Sequence, residues 1–318
     1  MRTVNWAEIA QAFSGRASVE SKYRRIQRFI SDYEVSQAEI AQSMGMWLPP
    51  YPWILSLDRT CWQFGNTLIN LLVLGVVCQG SAIPLLWQPL NKKGNSDTAE
   101  RQELIDPFLR LFGRRPIQYL TAEREFIGPE WLKGLQDSGI PFCLRVKKNT
   151  LVEDKQCRSI SMQLRLACLP IGLKPRLKQI RVWGCIVNIE AMRLKQGEYL
   201  IVVSDQLNGA LNRYKQRWNI ETLFGNLNSR GFQFRKTHLK DPDRISKLLA
   251  LLALAFCYAL QMGVWRITQG KHIVFKKSLN RPLKSVFRQG FDYLRELLLN
   301  IREKWLEFLQ LPGFLSCT

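Results

Sequence analysis

Histidine is almost missing from this chain: of 318 residues, only His238 and His272 carry an imidazole. Cysteine is present but unorganised, since Cys61, Cys78, Cys143, Cys157, Cys168, Cys185, Cys257 and Cys317 include no Cys-x-x-Cys pair. Two imidazoles and scattered thiols argue against a zinc module, and reduced, cytosolic thiols are the plain reading. Acidic side chains are scarce too. Twenty-six Asp and Glu stand against 46 Lys and Arg, a formal net charge of +20. Chemistry on small acidic metabolites does not need that excess, so the default partner is a polyanion, nucleic acid ahead of an anionic membrane surface. Met1 to Glu8 hold no apolar signal-peptide core, so export is not expected.

What is plentiful is apolar side chain, 46% of the residues, which supplies a sizeable core and excludes a disordered tail. Two uncharged stretches raise the question of a membrane. Thr60 to Asn91 is interrupted by Gln79-Gly80-Ser81, and Val73, Val76, Val77 and Ile83 favour strands, so a buried hairpin fits better than a spanning helix. Leu248 to Trp265 reaches the minimum length of a spanning helix but contains Gln261 and Gly263, and the rest of the chain is soluble in character. A buried core helix is expected there.

Residues 1–48 read as a small basic helical unit, with Val19, Tyr23, Ile26, Phe29 and Ile30 at helical spacing and Lys22, Arg24, Arg25 and Arg28 between them. Pro49-Pro50-Tyr51-Pro52 ends it, and Trp53 to Leu57 reads as a buried strand closed by Asp58. With the hairpin, three consecutive strands result. Asp97 with Glu100 three residues on marks a helix start. Ile117 to Ala122 is a fourth strand, Gly128 to Leu135 a helix and Ile140 to Val146 a fifth strand, an order that describes a mixed α/β layer fold. Residues 150–205 read as a β-rich insertion with strands at Ile160 to Leu166, Gln179 to Ile189 and Glu198 to Val203. The remainder is helical, beginning with a helix from Ala210 to about Ser229.

On that last helix Tyr214, Arg217, Glu221 and Asn228 fall within about 60° of one another at 100° per residue. Such a face could hold a phosphodiester, Arg217 bidentate on its oxygens, Tyr214 donating to another and Glu221 binding a metal. Spacing alone favours a solvated face with an Arg217–Glu221 ion pair. Asp58 and Glu123 each end a candidate strand, where open α/β sheets place functional groups. Three carboxylates so gathered could hold two divalent metals for phosphoryl transfer.

Four segments carry a more specific resemblance: Leu57-Asp58-Arg59-Thr60; Lys93-Gly94-Asn95-Ser96 with Thr98-Ala99-Glu100-Arg101; Arg124-Glu125-Phe126-Ile127-Gly128; and Tyr214-Lys215-Gln216-Arg217-Trp218-Asn219-Ile220-Glu221-Thr222-Leu223-Phe224. The sequence resembles bacterial insertion-sequence transposases of the DDE type, most closely insertion-sequence family four with its tyrosine, arginine, glutamate and lysine signature, from about Arg2 to Gly263. The resemblance implies a ribonuclease H-like core over 53–149 and 206–265, interrupted by the β-rich insertion 150–205 and flanked by a DNA-end-binding unit, 1–48, and a C-terminal helical region, 266–318. It implies cut-and-paste excision through DNA hairpins, with Asp58, Glu123 and Glu221 as ligands for Mg²⁺, Mn²⁺ being able to substitute. Tyr214 and Arg217 would meet DNA. The partners implied are double-stranded DNA, as terminal repeats and target, and a second copy in the DNA complex. No membrane is implied, and the location expected is the cytoplasm, on the nucleoid.

Two positions depart from the pattern. Glu123 stands where such proteins carry aspartate, and Asn228 where the signature lysine is expected, on the DNA-facing side. Glu for Asp moves a carboxylate by roughly one methylene, and a misplacement of about 1 Å can cost 10²-fold. Losing the lysine removes a cation that would position phosphate. A catalytically decayed or repurposed DNA-binding derivative is therefore the competing reading. The chain also begins near the Arg-Thr-Val-Asn segment that such proteins reach after a further helical stretch, so part of the end-binding unit is expected to be missing. Trp183 could stack on a flipped base, although a strand tryptophan more often packs.

Overall fold

The computed structural model describes residues 2–153, 158–270, 275–276 and 281–309. Cys157, Cys317 and His272 lie outside the described residues, as does part of 266–318. Three helices come first: α1 (Trp6–Ala12), α2 (Val19–Asp32) and α3 (Gln37–Gly45). Asn5, Ser18 and Ser36 start them, each side-chain oxygen accepting a backbone N–H of the first turn. Arg24, Arg25 and Arg28 of α2 face solvent.

A meander follows, β1 (Trp53–Phe64), β2 (Thr67–Cys78) and β3 (Ser81–Pro89), whose second turn places Gln79 and Gly80 at φ 51° and 76°. Then come α4 (Thr98–Phe112), β4 (Ile117–Ala122), α5 (Pro129–Asp137) and β5 (Phe142–Val146). The expected helix start is a complete capping box: Asp97 accepts from the Glu100 N–H at 3.0 Å, and Glu100 accepts from the Asp97 N–H at 2.8 Å. Residues 150–205 contribute β6 (Leu151–Glu153), β7 (Ser159–Ser161), α6 (Met162–Arg165), β8 (Arg176–Val182), β9 (Cys185–Arg193) and β10 (Tyr199–Ser204). These strands continue the same sheet, which has ten strands in the order β3-β2-β1-β4-β5-β10-β9-β8-β6-β7. Strands β1, β4 and β5 are mutually parallel and the other pairings antiparallel.

The helical remainder comprises α7 (Ala210–Tyr214), a 3₁₀ turn at Lys215–Arg217, α8 (Trp218–Leu227), a second 3₁₀ turn at Phe234–Lys236, α9 (Pro242–Thr268), α10 (Val286–Leu299) and α11 (Trp305–Leu309). Between α9 and α10 lies a two-stranded ladder of Phe275–Lys276 with Arg281–Pro282. By length and composition α9 could cross a membrane, yet Leu249, Ala253, Phe256, Cys257 and Leu260 are buried in the core shared with the sheet.

Four local readings change. β1 runs on to Phe64, so Asp58 sits within a strand rather than closing one. Ile160 to Leu166 is only a strand end followed by a helical turn. Gln179 to Ile189 is a hairpin, turned by Trp183 and Gly184 at φ 49° and 80°. The helix expected over 210–229 tightens to 3₁₀ at Lys215–Arg217 and ends at Leu227.

Candidate active site

Sheet register brings the first two acids together. Leu57 of β1 pairs with Ala122 of β4, and Ala122 with Leu144 of β5. The next residues are Asp58 within β1, Glu123 just past the end of β4 and Arg145 within β5, which therefore stand in a row at the end of the parallel pairing of the three strands. Cys143 lies on the face of that row one pleat repeat earlier on β5 and Tyr119 two repeats earlier on β4, and α7 packs over them through Ala210, Leu211 and Tyr214. The tight turn after α7 then lowers Arg217 onto the row.

Arg217 is the hub. Its Nη1 lies 3.6 Å from Asp58, its Nε 3.1 Å from Glu123 and its Nη2 2.7 Å from Glu221, and the residue is 5% exposed. Arg145 reaches Glu123 at 3.5 Å, and Arg59 holds Glu125 at 2.7 Å. The Tyr214 hydroxyl is buried near Glu123 without a well-formed hydrogen bond. Asp58, Glu123, Arg124, Lys147 and Glu221 line a cavity of about 510 Å³ opening from this cluster.

Burial sets the electrostatics. Loss of hydration pushes Asp58 up to about 7, with Glu125 and Glu123 adding to it, against the Arg59 backbone N–H and Arg217. Burial also works to raise Glu123, but Arg217, the Arg124 N–H, Tyr214 and Arg145 outweigh it and hold that carboxyl below its usual range. The Tyr214 phenol is pushed up by burial and by Glu123.

As donors, three carboxylates suit a hard, oxygen-liganded divalent cation. Arg217 nevertheless rests among these acids. Among the described residues, no three acidic, histidine or cysteine side chains are placed to hold one ion together.

Of the residues singled out from sequence, the fold gathers Asp58, Glu123, Glu221, Tyr214 and Arg217. It does not add Asn228 to them. Asn228 caps the end of α8, where its Nδ2 donates to the Phe224 carbonyl at 2.8 Å and its Oδ1 accepts from the Arg235 N–H at 3.1 Å. Trp183 is half-buried and packs against the core at its turn. Arg145 went unnoticed, although it is the one charge in the apolar run Ile140 to Val146.

The transposase DDE domain model matches residues 51–258, about two thirds of the chain and all of the acids just described. The chain belongs to the transposase DDE domain family. No curated protein matches the sequence. Among solved structures, a piggyBac transposase synaptic complex with hairpin DNA aligns at 13% identity and TM-score 0.43, over 79% of this chain and 54% of that one. Endonuclease V from Bacillus subtilis aligns at 12% identity and TM-score 0.28, over 83% and 98% of the two chains. The NurA nuclease from Sulfolobus solfataricus aligns at 10% and 0.26, over 73% and 93%. The chain thus spans about half of the piggyBac chain.

Within the DDE domain the segments that carried the resemblance are joined physically. Arg59 donates to Glu125 and, at 3.2 Å, to Asn95. Arg101, buried, donates to Ser96 Oγ at 3.0 Å and to the Glu125 carbonyl at 3.3 Å, with its guanidinium over Phe126 and Trp131. These contacts tie the loop after β3 and the start of α4 to the end of β4, beneath the acids.

Proposed function

We propose that the protein is an insertion-sequence transposase that cleaves and joins DNA strands by metal-dependent phosphoryl transfer, with Asp58, Glu123 and Glu221 as its acids. The observation that carries this reading is the convergence of three acids, from two adjacent parallel strands and a helix, on one arginine within the family-matched stretch. The order β3-β2-β1-β4-β5, with α8 packed across it, supports a ribonuclease H-like core. Cut-and-paste excision through a DNA hairpin and pairing of two copies on the element ends belong to the same proposal.

In this reading Asp58, Glu123 and Glu221 would hold Mg²⁺ or Mn²⁺, which would supply charge neutralisation and activation of a water or 3′-hydroxyl. Arg217 and Tyr214 are the groups a phosphodiester meets at the acids. Arg217 is the standing counter-ion of the carboxylates, and a phosphate arriving there competes with them for the same guanidinium. Glu123, bound between Arg217 and Arg145, is held away from an undivided role as ligand. That observation favours the second reading, a derivative that binds DNA without cutting it.

The test is strand cleavage of a duplex bearing the element end, in Mg²⁺ and in Mn²⁺. Cleavage is expected to vanish in Asp58→Ala and Glu221→Ala while DNA affinity holds. Unchanged cleavage in either variant removes that acid from the site, and a wild type that binds but never cuts favours the second reading.

A further inference from the structure

Next to the acids stands a cation that they do not claim. Three of the neighbouring arginines are committed: Arg59 to Glu125, Arg145 to Glu123 and Arg217 to all three acids. Arg235 is exposed, and among the described residues no carboxylate lies within ion-pair distance of it. Its guanidinium is placed nonetheless. Nη2 donates to Thr60 Oγ1 at 3.2 Å, and its backbone N–H donates to Asn228 Oδ1 at 3.1 Å. The preceding Phe234 is fully buried and packs edge-on against Trp62, ring centres 5.1 Å apart.

Alternation along β1 puts Asp58, Thr60 and Trp62 on one face. Arg235 is therefore anchored about 7 Å along the strand from Asp58, one pleat repeat on the same side. Arg124 and Lys147 line the cavity where β4 and β5 end. Cations thus stand on both flanks of a carboxylate cluster that by itself repels phosphate. An arginine offers a fork of donors to phosphate oxygens, and one already held in place gives up less freedom on binding.

We propose that Arg235 binds the DNA phosphate next to the one at the acids, on the β1 side, with Thr60 and Asn228 as the positioning residues that aim it. The ligand class is a nucleic-acid phosphodiester. The inference rests on the DNA-cleaving reading above for its meaning, but its test does not depend on cleavage.

The experiment measures affinity for a short DNA duplex by fluorescence anisotropy between about 50 and 200 mM salt, without metal, for wild type, Arg235→Gln, Arg235→Lys and Thr60→Val. Loss of one phosphate contact should make the slope of log K against log[salt] shallower by about 0.9 in Arg235→Gln. Arg235→Lys should keep the wild-type slope. Thr60→Val, which keeps the charge and removes its anchor, should keep the slope and weaken binding of the duplex at every salt concentration.

A slope unchanged in Arg235→Gln overturns the proposal, whatever cleavage does. So does an equal loss of slope and melting temperature in the Gln and Lys variants, which would make the role structural. If Asp58→Ala still cleaves while Arg235→Gln loses its slope increment, the acid assignment falls and the phosphate contact stands. If Asp58→Ala is inactive and the slope does not move, only Arg235 falls.

Discussion

Where α10 crosses α9, a Cβ on Gly290 would lie 1.8 Å from the Ala259 carbonyl oxygen, and one on Gly263 would lie 2.1 Å from that of Val286. Where the 3₁₀ turn crosses β1 and β4, three carboxylates surround one guanidinium, whose Nε and Nη1 are buried without well-formed hydrogen bonds. The first region is backbone on backbone, closed by apolar rings: Phe256 and Phe287 stack with centres 4.6 Å apart. The second holds charges in a place that pushes one of them towards its neutral form. Close packing of neutral groups stabilises a fold, whereas buried charge clusters tend to cost stability and persist where chemistry needs them. The comparison thus separates what holds the protein from what it works with. Substitutions should separate the two in the same way.

The largest effect is expected at the crossing. Gly290→Ala forces two backbones apart, and overpacking of this kind costs roughly 3 kcal/mol or more. Gly290→Val should leave little folded protein. Circular dichroism melts check this, and a Gly290→Val protein that melts like wild type would show that α10 does not dock on α9 so closely.

At the acids the sign should reverse. A raised carboxyl pKa means that the folded state holds the proton more tightly than the unfolded chain, so stability from Asp58 is fully present below about pH 4 and is lost as the pH rises through about 7. Asp58→Asn, neutral throughout, should therefore melt higher than wild type above pH 7, with the gain fading towards pH 4, while cleavage is lost. Added Mn²⁺ should raise the wild-type melting temperature and not that of Asp58→Asn. A variant that melts lower at pH 8 would place Asp58 among the stabilising contacts of the fold.

Glu123→Asp offers a finer cut. The shorter side chain withdraws from Arg217 and Arg145, now 3.1 and 3.5 Å away, and moves its carboxylate back by roughly one methylene. Cleavage should rise by about an order of magnitude or more, on the 10²-fold scale of misplaced catalytic groups. Equal rates would show that the site tolerates glutamate, and the decayed-derivative reading would lose its main support.

How legible all this was in the sequence depended on the range of the contacts involved. Gln79-Gly80, the Asp97–Glu100 capping box and β4 at Ile117–Ala122 are set by a few neighbouring residues, and all were readable. The hairpin at Trp183-Gly184 was not, because a tryptophan in left-handed backbone is no turn signal and the stretch Ile180 to Ile189 is apolar apart from Arg181, Gly184 and Asn188. The Tyr214, Arg217 and Glu221 grouping follows from helical spacing. The meeting of Asp58 with Glu123 follows from the β1 and β4 register, which joins residues 65 positions apart. Arg145 enters through the same register, and no local pattern announces it.

Asn228 gives the smallest effect. As a lost phosphate contact it would gain from lysine, since a cation would return to the helix face. Its place in the fold argues otherwise: the side chain donates to the Phe224 carbonyl and accepts from the Arg235 N–H, so it holds the end of α8 and the start of the second 3₁₀ turn at once. Lysine has no acceptor. Asn228→Lys should thus free the Arg235 N–H, costing about 1 kcal/mol, and let Arg235 drift from Thr60. The expected outcome is a slightly lower melting temperature, with cleavage equal to or below wild type despite the added charge. If Asn228→Lys instead binds DNA more tightly and cleaves faster at unchanged stability, position 228 faces the DNA and its bond to the Arg235 N–H is dispensable.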